Sequence, residues 1–338
     1  MPSPIKDKLG RTLSEIRVSV TDRCNFRCGY CMPERGQLYG FMPRAELLSF
    51  EEVERVVRAM ASRFGLRKVR LTGGEPLLRA QLERLVERLA SVPGVQDLAM
   101  TTNGFLLQAR AAKLARAGLH RVTVSLDSLN PAVFARATGS TTAPGAVLRG
   151  IEAAAAAGLR PIKINCVVQR GVNEDCIAEL ARHFRGSGHV VRFIEFMDVG
   201  TLNGWRADSL VGASEILDRL RAAGNLQRMP QTEHDRVARR YAFDDGSQIG
   251  VIASVSQPFC RDCNRARLTA DGRLLGCLFA SNGISLRDRL RAGASDHEIA
   301  AVLREAWSKR ADRYSETRSL TPQPGAEHRK LEMYQVGG

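Results

Sequence analysis

The sequence predicts an α/β protein built on a mainly parallel sheet, and three observations carry that prediction. From Arg17 to Phe196 one rhythm repeats: a short β-branched apolar run, a turn, then a longer stretch with helical periodicity. The units recur at about 25 to 50 residues, enough chain for a right-handed helical crossover between parallel strands, whereas a hairpin needs far less. The chain has 338 residues, 44% hydrophobic and 25% charged, which supplies the core of one large domain with an appendage or of two ordinary domains.

In chain order, the candidate strands are 16–20, 69–72, 98–101, 122–126, 162–168 and 190–196. Each is a cluster of Val, Ile, Leu or Thr bounded by polar residues, Gly or Pro. Helical candidates lie between them at 50–64, 80–91, 108–117, 144–157 and 173–184, where apolar residues recur at three- and four-residue intervals. Periodicity does not say whether such a sheet closes, and six units are fewer than the eight of a complete barrel. After Phe196 the rhythm stops. Residues 198–257 read as irregular apart from a helical stretch at 214–223, and the tail carries a helix at 296–309 before a Pro-, Gly- and charge-rich end at Gly337-Gly338. A frayed terminus is the default reading of such an end. The organisation predicted is a first region over 1–197 and a second over 198–338.

No window approaches the ~18 to 20 consecutive apolar residues of a membrane span; the most apolar run, 153–159, is a short alanine-rich stretch. The first residues, with Lys6, Asp7, Lys8 and Arg11, hold no signal-peptide core. The expectation is a cytoplasmic protein with no membrane partner. Its formal charge is +14, and only seven of its 50 basic residues are lysines. Such an excess of arginine reflects either a compositional bias or an anionic ligand, because the planar guanidinium donates paired hydrogen bonds to phosphate oxygens. Nucleic acid is the weaker candidate, since only 6% of residues are aromatic and no basic run is interleaved with stacking side chains.

Eight cysteines in a reducing compartment are not a disulfide framework. Cys24, Cys28 and Cys31 form C-x3-C-x2-C directly after the first strand, and Cys260, Cys263 and Cys277 form C-x2-C-x13-C in the second region. Cys166 and Cys176 stand alone and read as small buried hydrophobes. A structural zinc would want a fourth protein ligand, and the nearest histidines, His120 and His234, are remote in sequence. Three cysteines instead suit a 4Fe–4S cluster with one iron open to a further ligand.

The run Cys24-Asn-Phe-Arg-Cys28-Gly-Tyr30-Cys31-Met-Pro33 resembles the cluster loop of radical S-adenosylmethionine (SAM) enzymes, where an aromatic residue precedes the third cysteine. Thr72-Gly73-Gly74-Glu75-Pro76, after the second strand, is similar to the turn that holds the methionyl amino group of SAM in that superfamily. Its logic is that glycines let backbone carbonyls approach a ligand while a carboxylate faces an ammonium. Phe259-Cys260-Arg-Asp-Cys263-Asn-Arg265-Ala-Arg267, continuing to Cys277-Leu-Phe279, resembles the C-terminal motif of the GTP 3′,8-cyclases, which open molybdenum cofactor biosynthesis. The resemblance runs from the first strand to Gly337-Gly338.

That resemblance implies an incomplete (β/α)6 TIM-like barrel, the radical SAM core, with a C-terminal cluster-binding region closing it and one cluster at each end of the cavity. It implies two 4Fe–4S clusters and SAM as cofactors. A 5′-deoxyadenosyl radical would remove the C3′ hydrogen of GTP, and C3′ would then attack guanine C8. Position by position, Cys24, Cys28 and Cys31 would ligate the SAM cluster; Cys260, Cys263 and Cys277 would hold the second, whose open iron meets the guanine. Tyr30, Gly74, Ser125 and Met197 would contact SAM, and Arg17, Arg70, Thr101, Lys163, Arg265, the backbone of Ala266, and Arg267 would contact GTP. Arg17, with Gly337 and Gly338 inserted from the tail, would complete the catalytic set. The implied partners are an electron donor such as flavodoxin or ferredoxin and, next in sequence, cyclic pyranopterin monophosphate synthase, with a homodimer among the allowed states. Two alternatives stay open at this point: another two-cluster radical SAM enzyme acting on a peptide or nucleotide, and a cluster-stabilised nucleic-acid-binding protein.

Overall fold

A computed structural model describes residues 3–32, 39–230, 237–318 and 331–338. Pro33 of the first cysteine motif, His234, and residues 319–330 of the tail lie outside them. The six anticipated strands are present: β1 (Glu15–Ser19), β2 (Lys68–Thr72), β3 (Asp97–Thr102), β4 (Arg121–Ser125), β5 (Lys163–Val168) and β6 (Val190–Glu195). They run parallel, and each pairs with the next. Alternation along each strand sends Ile16 and Val18, Val69 and Leu71, Val122 and Val124, and Val191 and Phe193 into one continuous apolar core. The opposite face carries Glu15, Arg17, Lys68, Arg70, Thr101, Thr123, Lys163, Asn165 and Arg192. A complete eight-stranded barrel fills its lumen with packed branched side chains; this one presents charge there, which calls for a ligand.

The helices cover the apolar face. They are α1 (Phe50–Phe64), α2 (Leu82–Ala90), α3 (Leu107–Arg116), α4 (Pro131–Thr138), α5 (Pro144–Ala156) and α6 (Ile177–His183). Helix α1 starts at a capping box between Ser49 and Glu52 and stops at Gly65 in the left-handed conformation. The sequence reading missed α4, whose start at Asn130-Pro131, with the Asn130 side chain accepting from Ala132 and Val133, and whose end at Gly139 are both ordinary helix signals.

The second region departs from expectation. Residues 198–257 are not irregular: besides α7 (Ala213–Arg221) they contain β7 (Leu226–Arg228), β8 (Arg239–Phe243) and β9 (Gln248–Ile252). Further on come β10 (Arg265–Leu268), β11 (Arg273–Leu275), β12 (Ile284–Ser285), α8 (Arg287–Arg291), α9 (Asp296–Ser308), α10 (Tyr314–Thr317) and α11 (Met333–Val336). Strand β9 joins β6 in parallel and β10 joins β1 in parallel, so the later region flanks both edges of the six-stranded core. Among the described residues the order is β12-β11-β10-β1-β2-β3-β4-β5-β6-β9-β8-β7, and no hydrogen-bonded ladder closes the ring.

The sheet nonetheless curls strongly. Arg192 on β6 feels the charges of Arg70 on β2 and Arg265 on β10. In a flat sheet the six strand steps from β10 to β6 would span roughly 29 Å, too far for such an effect through protein. The inner face therefore wraps around a lumen.

Candidate functional site

At the C-terminal ends of the strands, where open α/β folds place ligands, the chain after β1 turns sharply. The N–H groups of Cys31 and Met32 both donate to the Cys28 carbonyl, at 2.9 and 2.8 Å. The loop leans on the end of α4: Arg27 N–H donates to the Thr138 carbonyl at 2.7 Å and Gly29 N–H to that of Ala137 at 3.1 Å. Phe26 anchors it in the core against Phe134, edge to face at 6.0 Å. All three thiols are free and half-buried. Burial pushes the Cys24 thiol up to about 11, and Cys28 and Cys31 are raised too, burial again being the main cause, with added repulsion from neighbouring cysteines. Three thiols that resist ionisation together are ionised by a metal cation. Among the described residues no three His, Cys, Asp or Glu side chains are gathered tightly enough for a single ion.

The Gly73-Gly74 turn lies directly against this loop. Gly74 N–H donates to the Thr21 carbonyl and Glu75 N–H to that of Arg23, both at 2.8 Å. A Cβ on Gly73 would fall 2.4 Å from the Thr21 carbonyl oxygen, and one on Gly74 2.3 Å from that of Arg23, so only glycines permit the approach. Glu75, whose carboxylate the resemblance sets against an ammonium, is tied down locally. It is 1% exposed and accepts from Leu77 N–H at 2.9 Å, the Thr102 hydroxyl at 2.7 Å and Asn103 N–H at 2.7 Å. It pins the turn to the end of β3. Ser125 ends β4 and Met197 follows β6, both half-buried on the same rim, and the Tyr30 hydroxyl donates to Asp127 at 3.1 Å.

Inside the lumen, register places Arg267, Arg17 and Arg70 side by side on β10, β1 and β2. Like charges on adjacent strands repel, and burial followed by repulsion from Arg265 and Arg267 drives Arg17 well below its ordinary value. Although burial works to raise it, Glu15 is held at about 2 by Arg17, Arg70, Arg265 and Lys68. Asp97, level with Lys68 on β3 and paired with Arg121, is a second carboxylate on this face, and the two do not balance the cations around them. Arg17 Nε, Arg70 Nε and Arg121 Nη1 are buried donors with no hydrogen-bond partner among the described residues. Thr101 and Lys163 lie on the same inner face, Thr101 level with Thr123 and Thr123 level with Lys163. Ala266 differs: its side chain is in the apolar core, leaving only its backbone near the row.

Sequence reasoning missed Arg192, which donates from Nε to Asn165 Oδ1 at 2.9 Å and which burial and other arginines lower to about 9. Its signal was present, since alternation along β6 turns residues 190, 192 and 194 inward. Glu15, Lys68 and Arg121 were missed likewise.

The second cysteine group sits at the opposite end of the strands. Cys263 lies two residues before the start of β10, at the N-terminal edge of the parallel sheet, with its N–H on the Cys260 carbonyl at 3.2 Å. The thirteen-residue spacer is explained by β10 and β11, an antiparallel hairpin turning at Asp271-Gly272 with Arg267 opposite Leu275. Extended two residues, back from Arg267 and onward past the end of β11, that register points Cys277 toward Arg265, and Cys277 feels the charge of Cys263. Burial opposes ionisation of Cys263, but Arg265 and Arg310 win and bring it down to about 6, a thiolate suited to iron. The lumen cations thus lie between the two cysteine groups.

The tail is not frayed at its tip. Arg267 donates to the carbonyls of Gly337 and, at 3.3 Å, Val336, and the Thr72 hydroxyl donates to that of Gly338 at 3.4 Å. A Cβ on Gly337 would meet Thr72 Cγ2 at 2.3 Å and Ser19 Oγ at 2.8 Å.

Residues 18–184 match the Radical SAM superfamily and residues 189–316 match Molybdenum Cofactor Synthesis C. The solved structure of Streptococcus suis SuiB bound to S-adenosylmethionine superposes with a TM-score of 0.56 at 14% identity, over 86% of this chain and 68% of that one, a likeness of fold. The GTP 3′,8-cyclases of Xanthomonas axonopodis pv. citri and Acidothermus cellulolyticus are 50% and 49% identical, each covering all of both chains. That of Staphylococcus carnosus is 42% identical over the same full extent. With identity this high along the whole length of each partner, the chain belongs to the GTP 3′,8-cyclase family of radical SAM enzymes.

Proposed function

We propose that this enzyme converts GTP into (8S)-3′,8-cyclo-7,8-dihydroguanosine 5′-triphosphate with SAM as radical source, the first step of molybdenum cofactor biosynthesis. The observation that carries the reading is the row of Arg267, Arg17 and Arg70 between two cysteine groups. A triphosphate supplies the negative charge that this row lacks, and Arg17 Nε and Arg70 Nε, which make no hydrogen bond among the described residues and only loose ion pairs to Glu15 at 3.6 and 3.8 Å, are able to donate to it. Lys163, Arg265 and Arg192 add cations around the same lumen, and Thr101 contributes a hydroxyl.

Cys24, Cys28 and Cys31 would hold the first 4Fe–4S cluster, which when bound supplies the electron for reductive cleavage of SAM. Cys260, Cys263 and Cys277 would hold a second, facing the base. Tyr30, Gly74, Ser125 and Met197 would position SAM at the rim, so the ribose of a GTP anchored deeper in the lumen is held toward it. Gly337 and Gly338 close the wall formed by β1 and β2, excluding water from the reacting carbons. In this reading residues 1–197 work as the SAM-cleaving region and 198–338 as the substrate-facing one. Electrons would come from a flavodoxin or ferredoxin in the cytoplasm, and the product would pass to cyclic pyranopterin monophosphate synthase; a homodimer is compatible with these roles.

The test is anaerobic reconstitution with iron and sulfide, then incubation with SAM, reductant and GTP and analysis by mass spectrometry. Formation of 5′-deoxyadenosine and a GTP-derived cyclic isomer, with about eight irons per chain, is the expected result. Deoxyadenosine without any change in GTP would transfer the reading to another substrate, such as a peptide.

A further inference from the structure

Beneath the second cysteine group lies a charged triad that neither the lumen nor the cysteines themselves require. Asp7, Arg11 and Arg310 have side chains 0, 3 and 2% exposed. Asp7 Oδ2 accepts from Arg11 Nε at 2.6 Å and from Arg310 Nη1 at 3.1 Å, while Oδ1 accepts from the N–H groups of Leu9 and Arg11, both at 2.9 Å. Asp7 thus serves two guanidiniums, and the half-exposed Asp312 adds only a looser ion pair to Arg310 Nε at 3.6 Å; burying so many charges together is not something stability alone favours.

The remaining donors of the two arginines point at the cysteines. Arg11 Nη1 donates to the Cys260 carbonyl at 2.7 Å and to that of Asp312 at 2.9 Å. Arg310 Nη1 donates to the Cys263 carbonyl at 2.8 Å, and its Nη2 reaches Cys263 Sγ at 3.4 Å. Trp307 lies over the Arg310 guanidinium at 4.5 Å, and its indole N–H donates to the Arg11 carbonyl at 3.0 Å. The two arginines thus grip the backbone of both neighbouring cysteines, and one addresses the sulfur itself.

We infer that Arg310 is a positioning residue for the second cluster. It fixes Cys263 and donates a charge-assisted hydrogen bond to its thiolate, with Asp7 and Arg11 as its brace; the inference rests on the reading that Cys260, Cys263 and Cys277 hold a cluster. A cation and a hydrogen bond at a ligand sulfur favour the more negative, reduced state of a cluster and so raise its potential.

The experiment uses the full chain with Cys24, Cys28 and Cys31 all replaced by Ser, so that only the second cluster is reconstituted. Its redox titration is followed by electron paramagnetic resonance. With Arg310→Gln the ratio of oxidised to reduced cluster at a fixed potential rises about tenfold, a midpoint lower by ~59 mV for a one-electron couple. Arg310→Lys, which keeps the charge and the pairing with Asp7, falls between that variant and the parent. An Arg310→Gln protein with its full iron and an unchanged midpoint overturns the inference. Should Arg310→Gln not take up iron, Arg310→Lys decides: a lowered midpoint, or loss of iron with native circular dichroism, supports the grip, and a parental midpoint overturns it. Cys260→Ser in the same background loses the signal; retention of iron and signal there would instead overturn the cluster reading itself.

Discussion

Replacing Gly337 by Ala tests whether the tail works by entering the lumen. Gly337 has a φ of +71°, and a Cβ there would lie 2.3 Å from Thr72 Cγ2 and 2.8 Å from Ser19 Oγ. Carbon atoms pack at about 3.5 to 4.0 Å, so the tail must retreat by more than about 1 Å from the wall formed by β1 and β2. The left-handed backbone costs a non-glycine residue roughly 1 to 2 kcal/mol. Retreat also breaks the hydrogen bonds from Arg267 to the Gly337 and Val336 carbonyls, worth roughly 1.5 kcal/mol or more for a charged donor. Together about 3 kcal/mol moves the insertion equilibrium about 100-fold toward the withdrawn state. Mass spectrometric assay of both products should show cyclised GTP falling by up to that factor, while iron content and uncoupled release of 5′-deoxyadenosine stay within about twofold. Deleting Gly337 and Gly338 sets the floor. Undiminished cyclisation in Gly337→Ala would refute the insertion argument, and loss of iron would show the tail to be a folding element.

Three further outcomes follow from the site. Cys28→Ser abolishes SAM cleavage whereas Cys277→Ser leaves uncoupled cleavage without cyclised GTP; equal loss of deoxyadenosine in both would contradict the division of labour between the two ends of the sheet. Arg17→Gln relieves the repulsion along Arg267, Arg17 and Arg70, so the GTP-free protein should melt higher while GTP ceases to raise its melting temperature; calorimetry with and without GTP reads both, and retained stabilisation by GTP removes Arg17 from the triphosphate site. Glu15→Gln probes the carboxylate beside the arginine row: because its folded value, about 2, lies below the ordinary 4.5, its ionised form stabilises the protein above pH 4.5 by roughly 3 kcal/mol. That advantage should shrink as pH falls from 4.5 toward 2, so denaturation curves of wild type and variant should converge on acidification; parallel curves from pH 7 to 3 would count against it.

The parts of the fold visible in the sequence were those fixed by local pattern. β1 to β6 alternate β-branched core residues with polar inward ones, and Arg17 and Lys163 were legible as misfits within that alternation, whereas Arg70 was reached only through the family resemblance. β9 and β10 were not, because Gln248–Ile252 carries a glycine and Arg265–Leu268 two arginines; their strand character comes from pairing with edges made far earlier in the chain. Helix α4 was overlooked although its proline start and glycine stop are local. At the site, spacing exposed all six grouped cysteines, but the thirteen-residue gap acquired its meaning only as a hairpin. Glu75 was legible as part of a motif, but its hydrogen bonds to Leu77, Thr102 and Asn103 at the end of β3 were not. Asp7, Arg11 and Arg310 carried no signal, since the contact joins residues 303 apart.

The pairing of β10 with β1 and of β9 with β6 bears on how the molecule is made. A nascent chain that has emitted only the six strands of the core exposes two parallel edges, each a row of unpaired backbone groups able to join another chain. The strand that caps the first edge is made some 250 residues after it, as Glu15 waits for Arg265. Closing so long a loop is entropically costly and slow. The hairpin that protects that edge also returns Cys277 to Cys263, so the step that ends the aggregation-prone stage of folding is the same one that assembles the second cysteine group.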